Sequence, residues 1–372
     1  EFILLPIGTF TFKEDIDFLN QVKETVNSKI IVYGEYASIN PEKCLNEQSI
    51  DFAIRGEAEE IINDILYQDF SKLKNLDGIC YKNHISKNFA FVKDINKLPF
   101  PERDLELSKK YKNPFGIKEP FTTIITTRGC PHDCIFCTVP ILYKKTFRER
   151  SVENIINELK ILKEQGFKEI FFRDENITLN QRSLKELCSR MIEEKFNFSW
   201  MCNARVDNVN KEILKLMKES GCHLIKFGVE SGSQEILNRI KKGITIEQIR
   251  KAFKWCKEEK IDTVAHFMIG HPGDTRETIK QTSNFAIELD PLYVSYDIVL
   301  KYPGTGLEKI KRLTYLEDKE LKEIYIQVYK EFYLRPKHIL KHITRIRSKK
   351  ELRDKIYGSF KLWEGLLNKK TS

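Results

Sequence analysis

The chain has 372 residues, 41% of them hydrophobic and 31% charged, which describes a globular protein of two or three domains and excludes a disordered or fibrous one. Its net charge of +9 rests mostly on lysines scattered over helix faces, without the interleaved aromatics of a nucleic-acid surface, so no nucleic-acid partner is expected. No apolar run approaches the roughly 18–20 residues of a transmembrane segment. The nine cysteines, an odd number with three clustered, point to a metal site in a reducing, cytoplasmic compartment rather than to a disulfide framework.

Residues 1–95 alternate short strands with helices and read as part of an open α/β sheet. Residues 1–6, 29–33 and 51–54 are β-rich apolar runs, and Ile16, Leu19, Val22 and Val26 recur at helical spacing between the first two. The run 2–7 is apolar but short, and lacks the basic leader of a signal peptide. Because the chain starts at Glu1 inside an apparent strand, further sequence upstream is expected. Gly56 is expected to open a helix with Ile61, Ile62, Ile65 and Leu66 on one face, and 78–92 reads as a hairpin turning near Ser86 and Asn88. Pro99, Pro101 and Pro114 break any periodicity over 96–121, which reads as a linker.

From 122 to 305 the strand–helix alternation is regular. Strands are expected at 122–126, 169–173, 198–202, 224–229, 262–269 and 293–299. One helix starts at 152 with Val152, Ile155, Ile156, Leu159 and Leu162 on its face. Asn210 should cap another that stops at Gly221, and Thr245-Ile-Glu-Gln has the pattern of a capping box. Six strand–helix units with short loops imply parallel strands and right-handed crossovers, hence a partial (β/α)6 TIM-like barrel. Residues 306–372 read as a helical C-terminal region, with Leu321, Ile324, Tyr325, Val328, Phe332 and Tyr333 in an apolar stripe.

The central feature is Thr127-Arg128-Gly129-Cys130-Pro131-His132-Asp133-Cys134-Ile135-Phe136-Cys137, directly after the first barrel strand. The loop after a barrel strand's carboxyl end is where chemistry sits. Three thiolates spaced C-x3-C-x2-C can hold a 4Fe–4S cluster by three corners and leave the fourth iron open, whereas an electron carrier ties down all four. A structural zinc would need a fourth ligand, for which His132 is badly placed, and three unrelated packing cysteines are the remaining reading.

With an aromatic, Phe136, just before the last cysteine, this motif resembles the signature of the radical S-adenosylmethionine (SAM) superfamily, and the resemblance extends over 120–305. It implies that Cys130, Cys134 and Cys137 hold the cluster and that its open iron binds the amino and carboxylate groups of SAM. Reductive cleavage of SAM would then yield a 5′-deoxyadenosyl radical, fed by a low-potential electron donor. The resemblance places Asp174 and Glu175 near the methionine amine, where a helix-entry acidic pair is the plain alternative. Arg205 could hold a carboxylate or pair with Asp207 or Asp174. Glu230 and Ser231, in Gly228-Val229-Glu230-Ser231-Gly232, are similar to residues facing SAM, and Ile269 and Gly270 to those contacting adenine. Asp274 could simply cap the next helix, His271 reads as an exposed turn histidine, and Tyr302-Pro303-Gly304-Thr305-Gly306 as a turn that could face substrate.

The front region resembles part of a doubly wound cobalamin-binding domain, on Gly34-Glu35-Tyr36-Ala37-Ser38 and on Arg55-Gly56-Glu57-Ala58-Glu59. Gly34, Glu35 and Ser38 would contact the cofactor. The Asp-x-His-x-x-Gly motif that supplies cobalt with a histidine is absent, and no histidine precedes His84. The combined resemblance implies cobalamin-dependent methylation of an unactivated carbon in a small-molecule or lipid-like substrate, with the site oxygen-sensitive. A radical cyclase, coupling or oxidative enzyme without methylcobalamin, and a scaffold without turnover, are the other readings. The basic, aromatic tail leaves peripheral attraction to a membrane surface open.

Overall fold

The structure is a computed structural model and describes residues 2–67, 76–345 and 364. These fall into two compact units. One comprises Glu1–Pro99, Arg128–Glu149 and Lys301–Lys309; the other comprises Phe100–Thr127, Arg150–Leu300 and the described part of Ile310–Ser372.

In the first unit, strands β1 (Phe2–Pro6), β2 (Lys29–Tyr33) and β3 (Phe52–Ile54) are parallel, and β4 (Ile79–Tyr81) joins β3 antiparallel, in the spatial order β1-β2-β3-β4. Alternation along β2 divides the core in two. Ile30 and Val32 pack with Ile16 and Leu19 of α1 (Phe12–Thr25) and with Tyr36 and Ala37 of α2 (Glu35–Ile39). Ile31 faces the other way, toward Ile61 and Ile65 of α4 (Glu59–Tyr67). A short helix α3 (Pro41–Leu45) carries Cys44 into the first of these layers. Helices on both faces of a mostly parallel sheet are the doubly wound arrangement expected.

Two local expectations are corrected. The tight turn of the 78–92 segment lies at Tyr81 and His84, which exchange both backbone hydrogen bonds around Asn83 at φ +67°, rather than near Ser86. Gly56 does not open α4, which begins at Glu59. It forms a parallel bridge with Ala90, and at φ +98° a Cβ there would come within 2.3 Å of the Ala90 carbonyl oxygen. Close backbone approach explains this glycine.

The second unit is built on six parallel strands in sequence order: β5 (Phe121–Ile124), β8 (Glu169–Phe172), β9 (Ser199–Ala204), β10 (Cys222–Glu230), β11 (Asp262–Ile269) and β12 (Tyr293–Ile298). The connecting helices are α7 (Val152–Glu164), α8 (Gln181–Glu193), α9 (Lys211–Glu219), α10 (Gln234–Arg239), α11 (Ile246–Glu258) and α12 (Arg276–Leu289), with a one-turn α5 (Leu105–Ser108) ahead of the first strand. Caps fall where the side chains dictate. Ser151 accepts from Asn154 N–H, Asn210 from Ile213 N–H, and Thr245 forms the full capping box with Gln248. The outer strand faces, including Ile170, Phe172, Trp200, Phe227 and Phe267, are buried. Among the described residues β5 and β12 do not pair, so the barrel is open.

Beyond the barrel, α13 (Asp318–Tyr333) and α14 (Pro336–Ile343) are helical, but residues 307–316 are irregular, which shortens the expected helical region. The expected continuation past 345 lies outside the described residues, apart from 364. α13 covers the edge strand β12 in an unusual way. The Tyr329 hydroxyl accepts from Tyr296 N–H at 2.9 Å and donates to Tyr296 C=O at 3.1 Å. One helical turn on, the Tyr333 hydroxyl does the same for Val294, at 3.1 and 2.8 Å. Two phenols thus take the place of a seventh strand and satisfy an edge that would otherwise be open for pairing. No described helix is long and apolar enough to cross a membrane.

Tyr329→Phe and Tyr333→Phe should each cost about 1–3 kcal/mol, because each leaves a backbone N–H and C=O of β12 unpaired. Guanidinium denaturation followed by circular dichroism measures this. Wild-type stability in the double variant would show that the phenols do not carry the edge.

Candidate active site

The cysteine loop belongs to the first unit. It leaves β6 (Thr127–Arg128), passes through α6 (Val139–Leu142) and returns through β7 (Arg148–Glu149). Gly129 starts it at φ +88°, where a Cβ would lie 2.2 Å from the Thr146 carbonyl oxygen, so only glycine lets the two ends of the loop close together. Cys134 is buried and Cys130, Phe136 and Cys137 are half-buried, and Cys137 N–H donates to the Cys134 carbonyl at 3.1 Å. The turn at 302–306 backs onto this loop. Gly306 lies against Ile135 and Gly304 against Ile141, with a Cβ on Gly306 coming within 3.0 Å of Ile135. Its glycines serve close packing of the loop.

The donor set suits a cluster held at three corners. Three thiols lie within one loop, and among the described residues no group of three His, Cys, Asp or Glu side chains, these thiols included, is drawn together for a single ion. The other six cysteines are buried. Burial pushes the thiols of Cys44 and Cys188 up to about 12, which keeps them protonated and inert.

One carboxylate anchors both ends of the loop. Glu57, 7% exposed at its side chain, accepts from Arg128 at 2.9 Å and from both terminal nitrogens of Arg148 at 2.8 Å, and also from Val92 N–H at 2.6 Å. Arg128 reaches Glu59 as well, at 2.7 Å, and Arg148 donates to the Val92 carbonyl at 2.7 Å. Burial alone would raise the Glu57 pKa, but hydrogen bonds from Arg148 and Arg128 outweigh it and hold the carboxyl below its ordinary value. This clamp escaped the sequence reading, because Glu57 lies 71 positions from Arg128 and 91 from Arg148.

In the same unit, Gly34 and Glu35 lie at the carboxyl end of β2, where doubly wound sheets bind ligands. Gly34 has φ +99°, and burial raises the Glu35 carboxyl against a hydrogen bond from Thr9. Ser38 is consumed internally, its hydroxyl donating to the Gly34 carbonyl and accepting from Gly56 N–H. Gly34 and Glu35 thus offer backbone and a carboxyl group at the strand end where a cobalamin would lie.

The second unit carries the remaining candidates at its strand ends. Asp174 is fully buried. Its carboxylate accepts from Thr126 N–H at 2.7 Å, from Thr127 N–H at 2.9 Å and from the Thr126 hydroxyl, so it fixes the backbone that leads into the cysteine loop. Burial pushes this carboxyl up to about 6 in spite of those bonds. Glu175 is exposed beside it. Arg205 forms two 3.0 Å bonds to Asp207 and one of 2.9 Å to the Lys242 carbonyl, the structural pairing that was one of its two readings.

Glu230, at φ +67° beside a register shift in β10, forms a 2.7 Å buried ion pair with Lys242. Ser231 shares a 3.2 Å hydrogen bond with Thr282 and accepts from Ser233 N–H. Ile269 is buried, and Gly270 packs so closely on Leu321 of α13 that a Cβ would come within 2.8 Å of it. His271 is a correction: it is fully buried, not exposed, and burial lowers its pKa to about 4, so it is neutral. Asp274 is not the helix cap; Thr275 is. The Asp274 carboxylate instead accepts from Gly270 and His271 N–H groups and from the Thr278 hydroxyl, folding the turn. Lys242 was also missed, since nothing distinguishes it in a lysine-rich chain.

Glu57→Ala should cost about 2–4 kcal/mol, somewhat below the loss typical of a fully buried pair, because Arg128 and Arg148 keep 18% and 20% of their side chains exposed. The folded pKa of Glu57 lies below the ordinary 4.5, so its contribution is complete above that pH and is lost as pH falls through the folded value. Thermal melts across the acid range should show this loss in the wild type and its absence in Glu57→Gln.

A model of the radical SAM superfamily matches residues 124–286. The chain is 33% identical over 354 residues to an uncharacterized methyltransferase of Pyrococcus horikoshii, covering 87% of this chain and 76% of that protein. It is 32% identical over 298 residues to a putative methylthiotransferase of Methanocaldococcus jannaschii, covering 76% of this chain but 63% of that protein. Its fold is similar to that of the cobalamin-dependent SAM radical enzyme OxsB, with a TM-score of 0.73 at 18% identity, over 97% of this chain and 62% of that one. The partial barrel, the three-cysteine loop and these relatives converge: the chain belongs to the radical SAM superfamily, whose enzymes use a 4Fe–4S cluster and SAM.

Proposed function

We propose that Cys130, Cys134 and Cys137 hold the 4Fe–4S cluster and that the enzyme methylates an unactivated carbon of a small-molecule or lipid-like substrate, with cobalamin as methyl carrier. The three cysteines on one clamped loop carry this reading. Held by these cysteines, a reduced cluster would supply the one electron that cleaves SAM to methionine and a 5′-deoxyadenosyl radical. This chain's own residues position and enclose. Gly129 and Glu57 hold the loop, Asp174 fixes its approach, and Glu230 with Lys242 presents a charged pair beside the strand end where SAM would lie.

Methyl transfer is supported by the methyltransferase relative, and cobalamin by the doubly wound front sheet and the fold of OxsB. Gly34 and Glu35 are the residues to contact cobalamin. A second reading, radical chemistry without methylcobalamin, is favoured by the internal engagement of Ser38. Both readings require an oxygen-protected cytoplasmic setting and a low-potential electron donor.

Anaerobic reconstitution with iron and sulfide, followed by SAM and dithionite, should yield 5′-deoxyadenosine by mass spectrometry. Cys130→Ala, Cys134→Ala and Cys137→Ala should each reduce it to the no-enzyme background. Full activity in Cys134→Ala would overturn the ligand assignment. Added hydroxocobalamin should co-elute with the wild-type chain on gel filtration; failure to do so would select the second reading.

A further inference from the structure

The concave face of the second unit contains two cations, Arg173 and Lys226, that have no acid partner among the described residues. Lys226 lies in the middle of β10, where the neighbouring Ile225 and Phe227 are fully buried on the opposite face. Its ammonium rests 4.2 Å from the centre of the Phe115 ring and 4.7 Å from that of Phe171. The Arg173 guanidinium lies 5.4 Å from the centre of the same Phe171 ring. Below them, Phe171, Met201, Leu224 and Val264 close the lumen with an apolar layer.

The strand register sets the spacing. Lys226 pairs with Asn203 on β9, and Phe172 pairs with Cys202, so Arg173 follows at the height of Asn203. Arg173 and Lys226 therefore leave strands two apart, with roughly 10 Å between backbones. That is within reach of two long side chains converging on one group.

The local charges are unbalanced. Among the described residues neither cation has a carboxylate in ion-pair range, while the nearby Glu230 is held by Lys242. Burial and the Arg173 charge lower the Lys226 pKa to about 8, so the ammonium remains mostly charged at neutral pH. His266, on the adjacent strand, is pushed toward its neutral form by burial. A half-buried ammonium beside a second cation is unfavourable unless an anion completes it. Guanidinium and ammonium over an aromatic wall are donors suited to a planar or tetrahedral oxyanion.

We propose that Arg173 and Lys226 bind an oxyanion of the substrate, so that the molecule acted on carries a carboxylate or phosphate group. This deepens the function proposed above and rests on it. SAM also carries a carboxylate, and the test separates the two sources.

Pyridoxal 5′-phosphate is the probe. Its aldehyde condenses with an unprotonated lysine with loss of water, and cyanoborohydride delivers hydride to the imine, leaving a stable tag for peptide mapping. With the reconstituted wild-type chain near pH 8, Lys226 should be tagged ahead of the surface lysines. Inorganic phosphate or acetate should protect it, the better protector indicating which oxyanion is preferred, and SAM alone should leave the tagging intact. Arg173→Gln should lower the tagging about tenfold at limiting probe, through loss of a charge-assisted bond to the probe's phosphate. Tagging of Lys226 no faster than surface lysines, indifference to phosphate and acetate, or full protection by SAM alone would each overturn the assignment. Formation of 5′-deoxyadenosine by the untagged wild-type chain tests the radical reading separately, so failure of one is not mistaken for failure of the other.

Discussion

The cysteine loop depends on a single buried carboxylate. A segment of about twenty residues with little regular structure of its own cannot hold three thiols in a fixed geometry by local hydrogen bonds. Glu57 solves this by taking the arginine before the loop and the arginine after it, Arg128 and Arg148, while Val92 N–H fills its remaining acceptor capacity. Removing Glu57 would leave Arg148 without its counter-charge and Arg128 with Glu59 alone, which makes Glu57 the centre of the clamp. Gly129 contributes the complementary steric condition by letting the two arms approach within the space a Cβ would need.

The same device recurs within the second unit. Asp174 takes the Thr126 and Thr127 N–H groups where the chain leaves β5. Glu158 of α7, nearly inaccessible, receives Arg103 at 2.7 Å and Arg150 at 2.5 Å. Asp174 and Glu158 thus fix the segments that flank β5. At the other edge, two tyrosines of α13 hold β12 with neutral groups. An open barrel has two sheet edges beside its lumen, and each must be satisfied from outside the sheet. Within that lumen, alternation along parallel strands separates the apolar outer face from inward-facing Arg173 and Lys226, which give the concave surface its positive charge.

Much of this was legible beforehand. Six strands and their helices followed from periodicity, and the caps at Asn210 and Thr245 followed from side-chain chemistry that acts over three residues. The three cysteines stood out because their spacing is local. Readings that depended on distant partners went astray or stayed open: Gly56 serves Ala90, His271 is buried under the turn that Asp274 folds, and Arg205 is taken up by Asp207 and the Lys242 carbonyl.

What the sequence by itself determined was the class of the protein, its alternation of strands and helices, and the thiols able to hold a cluster, since all of these are written in spacings of a few residues. Only the tertiary structure decided which charges are neutralised and which are not. Glu57 meets its arginines from 71 and 91 positions away, and Glu230 is answered by Lys242, while Lys226 and Arg173 share a ring and, among the described residues, no acid. Coulomb energy depends on separation in space and on burial, and a one-dimensional order of residues states neither.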